Sequence, residues 1–422
     1  MNHRLPPALR LALALALALA AAGCAGPAAT PLAIPTANLP GANPATAPGA
    51  TVRGLDPDIL ARWNARVATL LAEPLTAEAA VEIALLRNHT LTRLFDQLGL
   101  TTERLKLAHM PDPRHENGKP LGGDTPQLER SFTTNFMSWL SGAALADGAT
   151  AVRQAAAADQ AGSVVFDVRR AWVDAVGAAE RFDAEADTVL AAEALRDIVE
   201  RQARTGAAPR LAALQARQAW SRAIVEQTRL RIAAQVARER LDAAMGIFFD
   251  DADAVQLPRR LPALPERPVP ADLLELRSLS QRIDVQAARI VSDLPGGTPA
   301  VASAGFVATS PDGHLHALEY PEEAGMRARL EVRSAWAAYA AAHEIALHLQ
   351  TVDLPLAEAI SAEQLLRYNG MLIGVEALLA DAQRRSAARA DAIDARGRFW
   401  RADADLQQAM AGTGHIELTA TP

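Results

Sequence analysis

One cysteine in 422 residues leaves nothing for a disulfide within the chain, so packing alone must hold the fold. Aromatic residues make up only 4% of the sequence, and membrane strands of about ten alternating residues with aromatic girdles are hard to find. Basic runs are missing and the formal charge is −7, which argues against nucleic acid as a partner. The apolar run "LALALALALAAA" is twelve residues long, too short to cross a bilayer as a helix. No glycine-rich phosphate loop and no helical His pair of the metalloprotease kind occurs. The chain is therefore expected not to be an enzyme and to carry no cofactor.

What is present begins with a secretory signal over residues 1–23, with Arg4 and Arg10 ahead of the apolar run. The lone cysteine, Cys24, follows in "AAGC". That stretch looks like a bacterial lipobox, although Ala21 stands where leucine is usual. An ordinary signal peptide with a chance cysteine is the alternative. Acylation at Cys24 would tie the chain to membrane lipid, and residues 24–57, rich in Pro, Ala, Gly and Thr, read as an extended tether.

The rest is dominated by Ala and Leu and leans to helix. It is also written twice. "VRRAWVDAVGAAE" at 168–180 returns as "VRSAWAAYAAAHE" at 332–344, and Gly206 returns as Gly370, all at an offset of 164. Leu91 matches Val285 at an offset of 194, so the second copy is shorter by about thirty residues ahead of its repeated tryptophan. The copies are assigned to 58–257 and 258–412, with 413–422 as a C-terminal tail. Each has a leading helix, a β insert (about 111–142 and about 295–321) and a long antiparallel helical hairpin. In the first insert "PDPRHENGKPLGGDTP" reads as loop and "QLERSFTTNFMSWLSG" as strand; in the second, strands flank a "PDG" turn. The hairpin tips fall at "TGAAP" and "YNGMLIG", where Gly206 and Gly370 are expected to supply a positive φ.

This order of helix, insert and hairpin, with "VRRAW" and "VRSAW" opening the long helices and "DLPLAEA" at 353–359, resembles the TolC-like outer-membrane efflux proteins over about residues 57–412. The resemblance implies a mainly α homotrimer whose hairpins form a tube through the periplasm, with the inserts closing a small or incomplete β-barrel in the outer membrane. It also implies a passive duct that meets a periplasmic adaptor protein and an inner-membrane pump at its tips, here Gly206, Ala207, Gly370 and Met371. The acidic ring that narrows the periplasmic mouth in such ducts falls on Glu376. Leu379 and Leu372 occupy the second acidic position and the arginine position, and Asp381 is a stand-in. An exposed carboxylate favoured by the helix dipole is the other reading of Glu376.

His109 just ahead of the first insert, His115 with Glu116 within it, and the pair His314 and His316 in the second carry imidazoles that suit transition metals. Two ligands do not make a site, and solvated loop histidines are the alternative. "RYNGML" resembles the tip of family members from heavy-metal export systems, which extends the expected cargo from small molecules to metal ions. Two functions remain in play: an outer-membrane exit duct, and a non-conducting periplasmic scaffold lipoprotein with a degenerate barrel.

Overall fold

The computed structural model describes residues 57–97, 115–116, 119–120, 149–248, 254–271, 274, 278–279, 282–293, 308–309, 321–414 and 417–418. A short helix α1 (Pro57–Leu71) leads into α2 (Ala77–Arg87), started by the Thr76 hydroxyl, which accepts from the Ala79 amide at 3.1 Å. Such a cap satisfies one of the orphan donors at the helix start. Asn88 separates α2 from α3 (His89–Gln97); its side-chain oxygen accepts from the amides of Thr90 and Leu91 and caps the new helix.

The first long hairpin is α4 (Ala149–Arg204) and α5 (Arg210–Met245). At 56 residues, α4 is roughly 84 Å long. The second copy begins with α6 (Ile283–Asp293), then α7 (Pro321–His348), which passes through a π-helical stretch (Leu349–Asp353) into α8 (Leu354–Asn369), and returns as α9 (Val375–Ala411). The π stretch has a local cause. Pro355 lacks an N–H and its ring would clash with the carbonyl four residues back, and the wider turn, with Leu354 N–H on Leu349 O, relieves this.

The two copies are locked along α4 and α9 in antiparallel register. Ion pairs join Arg170 to Asp405 (2.9 Å), Asp174 to Arg401, Glu180 to Arg396, Arg181 to Asp394 (3.1 Å) and Asp187 to Arg389 (3.1 Å), so each step along α4 is met by a step back along α9. Single exposed pairs contribute little, and here their sequence along the interface sets register.

The segment joining the copies, 255–269, is a strap pinned by every long helix. Its carbonyls accept from Arg238 of α5 (at Val255), Trp400 of α9 (at Pro262, 3.0 Å), His343 of α7 (at Pro265, 2.7 Å) and Trp336 of α7 (at Val269, 2.7 Å). The Leu261 amide donates to Glu180 of α4 at 3.2 Å, and the Leu261 side chain lies over Gly177 and Gly397. Beside the strap, Tyr339, His343 and Trp400 surround the fully buried Phe399, with ring centroids 5.0–5.5 Å apart.

Two short antiparallel ladders complete the described residues. β1 (His115–Glu116) pairs with β2 (Lys119–Pro120). The stretch read as loop therefore holds a short antiparallel strand pair. β3 (Ala308–Thr309) pairs with β4 (Glu417–Leu418) from the C-terminal tail. Glu417 and Leu418 of the tail are thus paired backbone and form the partner described for β3. The strand expected over 127–142 lies outside the described residues, as does the remainder of both inserts.

Candidate functional site

Both hairpins reverse by the same turn. At the first tip the Gly206 amide donates to Ala203 O at 3.3 Å and the Ala207 amide to Gln202 O at 2.8 Å. At the second, the Met371 amide donates to Tyr368 O and the Leu372 amide to Arg367 O, each at 2.9 Å. These are two Schellman closures. They are offset by 165 rather than 164, and this one-residue slip corrects the sequence reading. Gly206 has the positive φ (78°) that was expected of it, whereas Gly370 sits at φ −79° and the left-handed position falls on Met371 (φ 57°). Pro209 precedes the first turn of α5, with φ −65° and ψ 145°.

A methionine in the left-handed region is strained by its Cβ, and this one is also 94% exposed, beside Leu372 at 76%. The second tip therefore presents two bare apolar side chains on a constrained turn.

Beneath the turns the two tips share one small core. Val199, Ala212 and Ala216 from the first hairpin pack with Val375 from the second, with Leu195, Tyr368 and Leu379 around them, and Gln202 Nε2 donates to the Tyr368 hydroxyl at 3.0 Å. Leu379 is accordingly held within this core, unlike Leu372. Asp381 is also internal, 4% exposed and 3.7 Å from Arg384, so it is turned away from the surface where a gate carboxylate must stand. Glu376 lies in the first turn of α9. The role of Tyr368 was missed because a tyrosine near a helix end carries no local signal of what it will meet.

Above this core, α4, α5 and α9 enclose a groove of about 500 Å³. Glu185 lines it, with Arg181, Glu226 and Arg385. Burial pushes the Glu185 carboxyl above its ordinary range, Arg181 opposes the shift and Glu226 reinforces it. Thr188 and Ser386 hydroxyls meet at 3.1 Å across the groove floor.

No family model matches the chain and no curated protein is similar to it in sequence. Solved structures are similar in fold. The outer-membrane channel OprN aligns with a TM-score of 0.55 at 16% identity, covering 83% of this chain and 91% of that one. The outer membrane protein VceC of Vibrio cholerae gives 0.53 at 15%, covering 80% and 96%. The outer membrane channel CmeC of Campylobacter jejuni gives 0.51 at 14%, covering 84% and 86%. The chain shares the fold of these outer-membrane proteins.

Within this fold, Gly206, Ala207, Gly370 and Met371 sit at the two joined tips, with the gate candidate Leu372 beside them. Cys24, His314 and His316 lie outside the described residues, as does His109. Among the described residues no three His, Cys, Asp or Glu side chains cluster in a way that could hold a metal ion, and no helix is long and apolar enough to cross a membrane.

Proposed function

We propose that the chain is the outer-membrane exit duct of a tripartite export assembly, passive in itself, with three copies forming one tube. The observation that carries this reading is exposed apolar surface on both hairpins: Leu211, Val225 and Ile232 on α5, and Ile345, Val352 and Leu366 on α7, the π-helical stretch and α8. Exposed apolar helix faces of this kind await a partner helix, and a protomer bearing one on each hairpin can join others head to tail into a closed ring. The outer-membrane channels that share the fold support the same reading.

In this arrangement Cys24 carries the acyl anchor in the outer membrane, and the tips at Gly206, Ala207, Gly370 and Met371 meet a periplasmic adaptor that links the duct to an inner-membrane pump. Three copies of Glu376 ring the periplasmic mouth and favour cations there, while Leu372 closes it. Asp381 and Leu379, held inside the protomer, take no part. The cargo is a small molecule or a metal ion.

The test is a planar-bilayer recording of the purified full chain. Discrete conductance steps that rise in Leu372→Ser are expected. A trimer silent in both parent and variant would replace the duct with the non-conducting scaffold.

A further inference from the structure

A second cavity, of about 340 Å³, lies far along the chain from the tip residues, where the strap crosses α2, α4 and α9. That volume falls within the ~300–1,000 Å³ of ordinary small-molecule pockets. Its walls are Leu75, Trp172, Val173, Pro262, Trp400 and Ala404. Both indole N–H groups are already committed, Trp172 to Leu75 O at 2.8 Å and Trp400 to Pro262 O at 3.0 Å. The Thr76 hydroxyl oxygen accepts from the Ala79 amide. What the tryptophans offer a guest is therefore ring surface.

The charges are unequal in a telling way. Glu78 and Arg169, both lining the cavity, are paired with each other, and Arg169 also lies 3.7 Å from Asp403. Arg260, on the strap, lines the same cavity, is exposed, and has no ion-pair or hydrogen-bond partner among the described residues. Many other arginines of the helical body are paired, as along α4 and α9.

We infer that this pocket binds a small organic acid with an apolar body, its acidic group on Arg260 and its body against Trp172 and Trp400. The assignment follows by elimination. A polar body would find both indole N–H groups taken and little beyond the Thr76 hydroxyl to bond, and would lose most of its hydration uncompensated. A cationic head would meet Arg260. An apolar acid satisfies both ends, and a guanidinium takes a carboxylate through two parallel hydrogen bonds. The inference is independent of the duct reading, which the bilayer recording tests separately.

The probe is 2-naphthoate, with naphthalene-2-carboxamide as its uncharged counterpart, measured by equilibrium dialysis against the full chain in lipid nanodiscs, with empty nanodiscs subtracted. One naphthoate per chain is expected, with the carboxamide about tenfold weaker. Arg260→Ala should weaken naphthoate about tenfold and bring the two compounds level, while Arg260→Lys keeps part of the preference. Arg260 is exposed, so neither variant threatens folding. Naphthoate that does not bind the parent, or that binds Arg260→Ala equally well, overturns the proposal.

Discussion

Trp336 repeats, in the second half of the chain, the hydrogen bond that Trp172 makes in the first. Trp172 donates to Leu75 O at 2.8 Å and Trp336 to Val269 O at 2.7 Å, and the two acceptors are separated by the same 194 residues that relate Leu91 to Val285. The duplication is therefore kept down to single polar contacts. Each bond fixes a long helix to the segment that leads into its own copy. Trp172→Phe and Trp336→Phe each leave a carbonyl without its donor and should cost about 1–2 kcal/mol, read from chemical denaturation. Two unequal losses, one near zero, would show that one copy does not depend on its pin.

The tips should respond to substitution according to where the positive φ lies. Met371→Gly relieves backbone strain and should raise stability by about 1 kcal/mol, and Gly206→Ala should lower it by a similar amount. Gly370→Ala, at φ −79° with the added carbon 3.5 Å from the nearest atom, should change it by less than about 0.5 kcal/mol. Thermal melting of the three variants checks the order.

Asp403, in the helical body, has its carboxyl pushed up to about 6, chiefly by burial, with Arg169 and the Gln407 amide pulling the other way. The native state thus holds this proton more tightly than the unfolded chain does. Its contribution to stability is complete below the ordinary 3.8 and is lost as pH rises through about 6. Asp403→Asn should match the parent near pH 4 and exceed it at pH 7.5, by up to about 3 kcal/mol. Denaturation at the two pH values decides it; a variant weaker than the parent at pH 7.5 would mean the Arg169 pairing outweighs desolvation.

Lipid attachment is checked by metabolic labelling with a fatty-acid analogue. Cys24→Ser should lose the label and accumulate as an unprocessed or soluble form. A labelled serine variant would show that the anchor lies elsewhere.

Charge and closure at the mouth separate in single-channel recordings. Glu376→Gln should reduce cation selectivity while leaving conductance near the parent's, and Leu372→Ser should raise conductance. Leu379→Ser should instead loosen the tip core it packs into and lower the melting temperature, because burying its hydroxyl there leaves a polar group without a partner.

Much of the architecture was settled locally. Helices of this length follow from tens of residues of Ala-rich periodic sequence without Gly or Pro between Ala178 and Thr205 or between Arg210 and Met245. The hairpin positions follow from Gly206 and Gly370, and the twofold plan follows from a phrase written twice. Such features depend on neighbours within a turn or two, or on self-similarity, and a sequence displays both. The antiparallel register of α4 on α9, the strap under Trp400, His343 and Trp336, and the pocket at Arg260 depend on residues 67 to more than 200 positions apart. The turn at Met371 shows the limit most sharply. A glycine next to a methionine predicts a left-handed glycine, yet closing α8 onto α9 with Tyr368, Val375 and Leu379 in one core ends the helix a residue later and moves that conformation onto Met371. Asp381 is internal for the same reason: whether a carboxylate near a tip faces a pore or a neighbouring helix is decided by the packing of all four long helices, which no single stretch of the chain encodes.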